Sequence, residues 1–185
     1  MAPSTSERSV RARSRSGGQA LIELAIAAPI LIVLLLGSLD LTLFYVNSLR
    51  VSTATREGAR IAAELGGGQD LPGTPTTAQL DAVVLGDVRQ ETQGMQYAAV
   101  SEIDVYTPSA ADGHYNPISD PADEYNGSGV ALPKQSFPLT LRNQKIPDET
   151  SIGVRVVWNY DSPAGLGIGS ITFDQYGVFK AAAVP

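Results

Sequence analysis

The chain has 185 residues, a formal net charge of −6 and no cysteine. The length suffices for one modest domain with an appendage, and the lack of cysteine excludes disulfides, thiolate catalysis and cysteine metal sites. Residues 1–18 hold four arginines and one glutamate, so the net negative charge of the chain lies entirely in residues 19–185. This charge argues against a nucleic-acid partner.

A long apolar run follows these arginines. Residues 20–39 are interrupted only by Glu23, and Leu24–Leu39 contains no charged residue. About twenty apolar residues are needed to cross the hydrocarbon layer of a membrane. Arginines before such a run indicate a cytoplasmic N-terminus, with the bulk of the chain exported. We therefore predict a single membrane span over about residues 20–42, with the lipid bilayer as a partner.

Two other interpretations of this run compete with the span. A secretory signal peptide would have a shorter apolar region ending in a small-x-small cleavage site, whereas this run ends in LLLGSLDLTLFYV. A buried core helix would leave the arginine cluster unexplained. Pro29 lies inside the run, and we expect a kink or local loosening there because proline removes a helical hydrogen bond. Neighbouring helices can repair such a defect within a membrane.

The helical pattern continues beyond the span. No proline interrupts residues 30–71, and the three glycines at 66–68 are typical of a helix end. We predict one helix over residues 19–65, roughly 70 Å long at 1.5 Å per residue, with an amphipathic extension over 43–65. A helix of this length needs partner molecules to cover its apolar surface. Its predicted apolar face consists of Val46, Leu49, Ala54, Gly58, Ile61 and Leu65.

Residues 78–185 are predicted to form an exported domain after a linker at 66–77 that is rich in Gly, Pro and Thr. A short helix begins this domain, with Thr76 or Thr77 as its cap. Alternating apolar residues predict strands within VSEIDVY, SIGVRVVWNY and ITFDQYGVFKAAAV, the last two as an antiparallel pair. The predicted fold class is α+β, with a long N-terminal transmembrane and amphipathic helix, a second short helix and a small C-terminal antiparallel β-sheet.

Residues 107–138 are predicted to be an acidic loop. Its carboxylates resemble a weak candidate calcium site, although their spacing does not fit a helix–loop–helix calcium loop and favours a solvated acidic loop. These carboxylates belong to Asp112, Asp120, Asp123 and Glu124. His114 is the single histidine, and in an irregular loop it indicates neither a base nor a metal ligand. We therefore expect no catalytic residue, no metal site, no cofactor and no enzymatic activity.

The residues around Glu23 resemble a known processing site. RSRSGG followed by QALIELAIAAP resembles a type IV prepilin-type leader, in which a basic segment ends in glycine and the fifth residue after the cut is glutamate. Cutting after Gly18 makes Gln19 the first mature residue and Glu23 the fifth. With TREGARIAA downstream, residues 14–65 are similar to the TadE-like group of the tight-adherence (Flp) pilus system. Gln19 departs from the phenylalanine common in type IV pilins, which leaves N-methylation open.

The resemblance implies a pseudopilin or minor pilin that assembles tight-adherence pili at the bacterial inner membrane. Its implied partners are a prepilin peptidase, which removes residues 1–18, other pilins and pseudopilins, and the pilus assembly machinery. A carboxylate at the bilayer centre costs about 2.5–3.5 kcal/mol. An ammonium on Gln19, about 6–7 Å away along the helix, would offset that cost. We hypothesise that Glu23 registers one subunit against the next; the alternative is that it snorkels to the headgroups.

The alternative function is a membrane-anchored exported domain that is not processed as a pilin. It would bind calcium or a surface ligand through the loop at 107–138. The two functions differ in whether the leader is removed and in whether Glu23 is required.

Overall fold

The computed structural model describes residues 10–65, 75–142, 150–165 and 169–181, with side chains from Gly18 onward in the first range. Two helices and a five-stranded antiparallel sheet are described, which confirms the predicted α+β class. The helices are α1 (Val10–Leu65) and α2 (Thr77–Thr92). The strands are β1 (Ala98–Tyr106), β2 (Ala122–Asn126), β3 (Ala131–Gln135), β4 (Ser151–Tyr160) and β5 (Ile171–Lys180), with a 3₁₀ turn at Leu139–Leu141 before β4.

The chain divides into two compact units, Met1–Thr42 and Leu43–Pro185. In the first unit the described residues are helical from Val10, earlier than the predicted start at Gln19. Arginine is a good helix former and no proline lies between these two positions, so the helix extends into the leader. The helix ends at Leu65 as predicted. The leader's residues 1–9 and the linker's residues 66–74 lie outside the described residues.

The sheet belongs to the second unit and has the strand order β3-β2-β1-β4-β5. The predicted pairing of the last two strands is confirmed, with register running from Ser151 opposite Lys180 to Tyr160 opposite Ile171. β1 pairs with both β2 and β4, and an irregularity in its register with β4 lies between Val100 and Glu102. Alternation along β4 places its large apolar side chains on one face of the sheet.

That apolar face packs against the helices to form the main core of the second unit. Trp158, the only tryptophan in the chain, is buried there and stacks on Phe44 of α1 at 5.7 Å between ring centroids. The core also contains Val51, Ala54 and Ala59 from α1, Val84 and Val88 from α2, Ile103 and Val105 from β1, and Ile152, Val154 and Val156 from β4.

The predicted apolar face of α1 over residues 43–65 is partly wrong. Val46, Leu49 and Leu65 are exposed, whereas the buried stripe consists mostly of small or polar residues. The buried stripe contains Asn47, Val51, Ala54, Thr55, Gly58, Ala59, Ala62 and Ala63. Small residues are required because the packing is close: a Cβ at Gly58 would lie 2.8 Å from Val88 Cγ2.

The N-terminus of α2 confirms the predicted cap. Thr76 Oγ1 accepts the Gln79 backbone N–H at 3.3 Å, and Gln79 Oε1 accepts the Thr76 N–H at 2.8 Å. This reciprocal capping box satisfies two N–H groups that a helix start otherwise leaves unpaired. The predicted apolar stripe of the helix, which includes Leu80, Val84 and Val88, is buried.

The prediction of a loop over residues 107–138 is wrong for its second half, which contains β2 and β3. β2 is only five residues long and two of them are acidic, so its sequence has low strand propensity. β3 contains Pro133, which weakens a strand pattern but is tolerated at a sheet edge. Both strands form because β1 offers β2 a partner, and β2 then pairs with β3.

Candidate functional site

Gly18 and Gln19, the residues of the predicted processing site, lie on α1 and are exposed. A Cβ built on Gly18 would meet no heavy atom within 4 Å. The peptide bond after Gly18 is therefore not shielded by any described side chain. Gly17 and Gly18 each disfavour the helical state by about 1 kcal/mol relative to alanine, so the helical state is intrinsically less favourable here than in the neighbouring turns.

Glu23 lies one helical turn beyond Gln19, and the two side chains are in contact. The Gln19 Nε2 amide donates to Glu23 Oε1 at 3.2 Å. Residues four apart are neighbours on a helix surface, so the predicted closeness of Glu23 to position 19 follows from helical geometry. In the uncut chain the carboxylate thus has a neutral donor from the residue that would become the mature N-terminus.

The helix around these residues is apolar and exposed. Its large side chains between Leu21 and Leu39 are 40–68% exposed, so the protein itself does not cover them. The helix is long and apolar enough to cross a membrane. Ser38 and Thr42 donate their hydroxyls to carbonyls of the same helix, at 2.8 Å each, which satisfies them without water. Pro29 lies inside this apolar helix, and residues on both sides of it remain helical.

The four acidic residues of the weak candidate calcium site do not converge. Asp112 is exposed and accepts the backbone N–H of His114 at 3.0 Å. Asp120 is buried; burial alone would raise its pKa, but hydrogen bonds from Ser109 and from the Asn116 N–H lower it. Calcium requires six to eight oxygens converging on one point. Among the described residues, no group of three or more His, Asp or Glu could hold a metal ion.

The other two acidic residues lie on β2 and not in a loop. Glu124 accepts the Tyr115 hydroxyl at 2.5 Å. Asp123 is buried and accepts both the Phe137 N–H, at 3.0 Å, and Arg142 Nη2, at 3.2 Å. The prediction of a solvated acidic loop is therefore wrong for Asp120 and Asp123. The reason is that the sequence pattern does not show which residues will form hydrogen bonds to these two carboxylates.

A buried ion cluster, which the sequence did not indicate, joins α2 to β2. Arg142 donates to both oxygens of Asp81, at 2.7 and 3.1 Å, as well as to Asp123. Tyr125 donates its hydroxyl to Asp81 at 2.8 Å. All of these groups are at least 94% buried, so their charges must be satisfied within the cluster. The available signal was Asp81, a charged residue directly beside the apolar stripe of α2.

A second polar cluster lies on the sheet face opposite the main core. Arg155 donates to Glu102 at 3.0 Å, Asp104 at 2.8 Å and Asp174 at 3.2 Å. Burial raises the pKa of Asp104 to about 7, and repulsion from Glu102 and Glu124 acts in the same direction, while hydrogen bonding to Arg155 opposes it. Among the described residues, one Asp104 oxygen is buried without a hydrogen-bond partner, which is consistent with a carboxyl group that resists ionisation.

One comparison with known proteins finds a match, and the match lies within the N-terminal helix. Residues 18–60 match the model of a family described as TadE-like protein. No curated protein and no solved structure matches the chain. The matched residues include Gly18, Gln19, Glu23 and the apolar helix, which confirms the resemblance seen in the sequence. Through residues 18–60 the chain matches the TadE-like family, consistent with a TadE-like protein of the tight-adherence pilus system.

Proposed function

We propose that this protein is a pseudopilin or minor pilin that acts in the assembly of tight-adherence (Flp) pili. The observation that carries the proposal is the family match, because it begins at Gly18 and contains Glu23 at the fifth position after that glycine. The role is structural and not catalytic. Its partners are a prepilin peptidase, other pilins or pseudopilins and the assembly machinery of the inner membrane.

The proposed first step is removal of the leader by the peptidase. The bond between Gly18 and Gln19 is exposed, and two successive glycines lower the cost of unwinding the helix there. Arginines before the span keep this end on the cytoplasmic side. The domain that contains the sheet is then exported, and the helix anchors it in the bilayer.

Removal of the leader changes the electrostatics around Glu23. It creates an ammonium on Gln19, whose side chain already contacts Glu23 at 3.2 Å. An ammonium attracts a carboxylate more strongly in low dielectric than in water. We infer that Glu23 pairs with this ammonium, on its own chain or on the next subunit, and so registers subunits during assembly.

Glu23→Ala tests the function in the strain that produces the protein. We expect a strain lacking the gene to lose its pili, and the wild-type gene to restore them. Glu23→Ala should insert into the membrane at wild-type levels but restore few pili, because insertion requires only the apolar span while registry requires the carboxylate. Electron microscopy of pili and membrane fractionation supply the two measurements.

Glu91→Gln is the matched control, since Glu91 is an exposed carboxylate on α2. It should restore pili fully. Normal piliation of the strain lacking the gene would contradict the proposed function. Normal piliation by Glu23→Ala would contradict the registry role alone.

The alternative of an unprocessed domain that binds calcium through residues 107–138 gains no support from the geometry. Asp120 and Asp123 are buried and bonded to separate groups, and Glu124 is bonded to Tyr115. A surface-ligand role for the exported domain is compatible with the proposed function and does not replace it.

A further inference from the structure

The sheet ends in two edge strands of different character. β3 forms one edge, is five residues long and contains Pro133 and Lys134, both of which discourage pairing with another chain. β5 forms the other edge, is ten residues long, contains no proline and has its only lysine, the exposed Lys180, at its last position. Over residues 171–179 the edge at β5 is therefore less protected against pairing than the edge at β3.

The register shows which residues of β5 direct their backbone groups outward. Ala181 N–H donates to Thr150 O at 2.9 Å, so the odd-numbered residues of β5 bond to β4. In an antiparallel pair the intervening residues direct N–H and C=O away from that partner. Asp174, Tyr176 and Val178 thus present backbone groups at the outer edge. In the described parts of the chain no strand pairs with them.

An open groove of about 520 Å³ lies along these same three residues. Its other wall consists of Ala111, Asp112, Gly113 and His114 from the loop before β2. Gln175 lies on the other face of the sheet from Asp174, Tyr176 and Val178, and it also lines the groove. The groove therefore reaches the edge of β5. An extended chain laid against β5 would occupy it.

The loop wall is held in place by contacts to the sheet. Tyr106 donates its hydroxyl to Gly113 O at 2.5 Å, and Gly113 has a φ of +77°, which glycine adopts without strain. The His114 ring stacks on Tyr176 at 4.8 Å, with 8° between the ring planes. A groove with walls held this way requires little ordering when a chain enters, which favours binding.

The charge of the residues that line the groove indicates the charge of the partner that would bind there. Asp112 is exposed, and the Asp174 side chain is 37% exposed even though it accepts hydrogen bonds from Arg155 and Tyr176. Among the described residues that line the groove, none is lysine or arginine. A basic side chain is therefore the complement of this site.

We propose that the groove at the β5 edge binds an extended segment of a partner protein that carries lysine or arginine. The segment adds a strand to the sheet through the backbone groups of Asp174, Tyr176 and Val178, and its basic side chain lies between Asp112 and Asp174. This inference concerns the exported domain and does not depend on processing at Gly18.

Synthetic peptides test the proposal on the full-length protein in detergent. The first probe is a fluorescent peptide of the length of β5 that alternates valine and lysine; the second replaces lysine with glutamate. A third has the lysine sequence with alternate backbone nitrogens methylated, which removes its ability to pair as a strand. We expect the lysine peptide to bind, and the other two to bind at least about tenfold more weakly.

Two matched variants and hydrogen exchange locate the binding. Asp112→Asn should weaken binding of the lysine peptide by up to about fivefold, the range of an exposed ion pair. Asp161→Asn neutralises an exposed aspartate that does not line the groove and should leave binding unchanged. Bound peptide should protect the amides of Asp174, Tyr176 and Val178 from exchange.

Three results would overturn the proposal. The first is no binding of the lysine peptide by the wild-type protein. The second is equal binding of the methylated or the glutamate peptide, which would mean that strand pairing or charge does not matter. The third is exchange protection that lies elsewhere in the protein while the β5 amides remain unprotected.

Discussion

Glu23 lies one helical turn after Gln19, and this spacing makes the mature N-terminus a partner for its carboxylate. In the uncut chain the Gln19 amide donates to Glu23 at 3.2 Å. Cutting after Gly18 would place a positive charge on the same residue, where low dielectric strengthens the attraction. Removal of the leader would thus bring a positive charge close to Glu23, the fifth residue after the cut.

Gly18→Phe should block processing without disturbing the helix. A Cβ at this exposed position would meet no heavy atom of the described residues within 4 Å, so there is room for a side chain to begin. Gly37→Phe is the matched control, because Gly37 also lies on α1 and has the same open surroundings. When each is co-expressed with the cognate prepilin peptidase, Gly18→Phe should remain full length on an immunoblot and Gly37→Phe should be shortened. Equal shortening of both would contradict the assigned cut.

Asp104 predicts a pH dependence of stability in the second unit. Its pKa is about 7 in the folded protein, above its ordinary value, because of burial first and then repulsion from Glu102 and Glu124. Between about pH 4 and pH 7 the folded state therefore keeps a proton that the unfolded state has released. The contribution of Asp104 to the free energy of unfolding falls as pH rises through this window and is constant above it.

Comparison with Asp104→Asn isolates that contribution from other titrating groups, including Asp120, whose pKa is lowered. Denaturant unfolding of the full-length chain in detergent, followed by Trp158 emission, gives the free energies. The wild-type value minus the Asp104→Asn value should decrease from pH 4 to pH 7. A difference that is constant or increases across that range would contradict the assignment.

At the scale of elements, close packing of α1 on β5 depends on a single glycine. A Cβ at Gly177 would lie 2.4 Å from the carbonyl oxygen of Thr55, which is backbone and cannot rotate away. Gly177→Ala should therefore lower the free energy of unfolding by about 1–3 kcal/mol, the usual cost of overpacking. Trp158 is buried and reports this unfolding by fluorescence.

Gly86→Ala, within α2, should instead raise the free energy of unfolding. Nothing lies within 4 Å of its Cβ, so alanine adds no clash and favours the helix by about 0.5–1 kcal/mol. The two substitutions are chemically identical but should change stability in opposite directions. If Gly177→Ala is as stable as the wild type, the close contact between α1 and β5 is not present in solution.

For the whole molecule, the features that the sequence predicted correctly are those that depend on local pattern. In β4 an apolar residue occupies every second position from Ile152 to Tyr160, and the strand is bounded at the predicted residues. α2 has its capping box, and α1 ends before the glycines at 66–68. The candidate processing site also depends on a local pattern, the spacing of Gly18, Gln19 and Glu23, and its role stays a prediction.

The features that the sequence did not predict depend on distant partners. β2 contains two acidic residues and forms because β1 pairs with it. Asp123 is buried because Arg142, nineteen residues later, reaches it. The helix α1 buries small residues and exposes Val46 and Leu49, because the surfaces that it packs against require close approach. No periodicity in one segment contains this information.

The position of the mature N-terminus shows whether the leader is removed, and the mass of the protein reports it. Intact mass spectrometry of the membrane-extracted protein should be performed with and without a cognate prepilin peptidase that is shown to be active on another substrate. We predict a chain that begins at Gln19 only when the peptidase is present. A chain that begins at Met1 or Ala2 under both conditions would contradict it and would favour an unprocessed membrane-anchored domain.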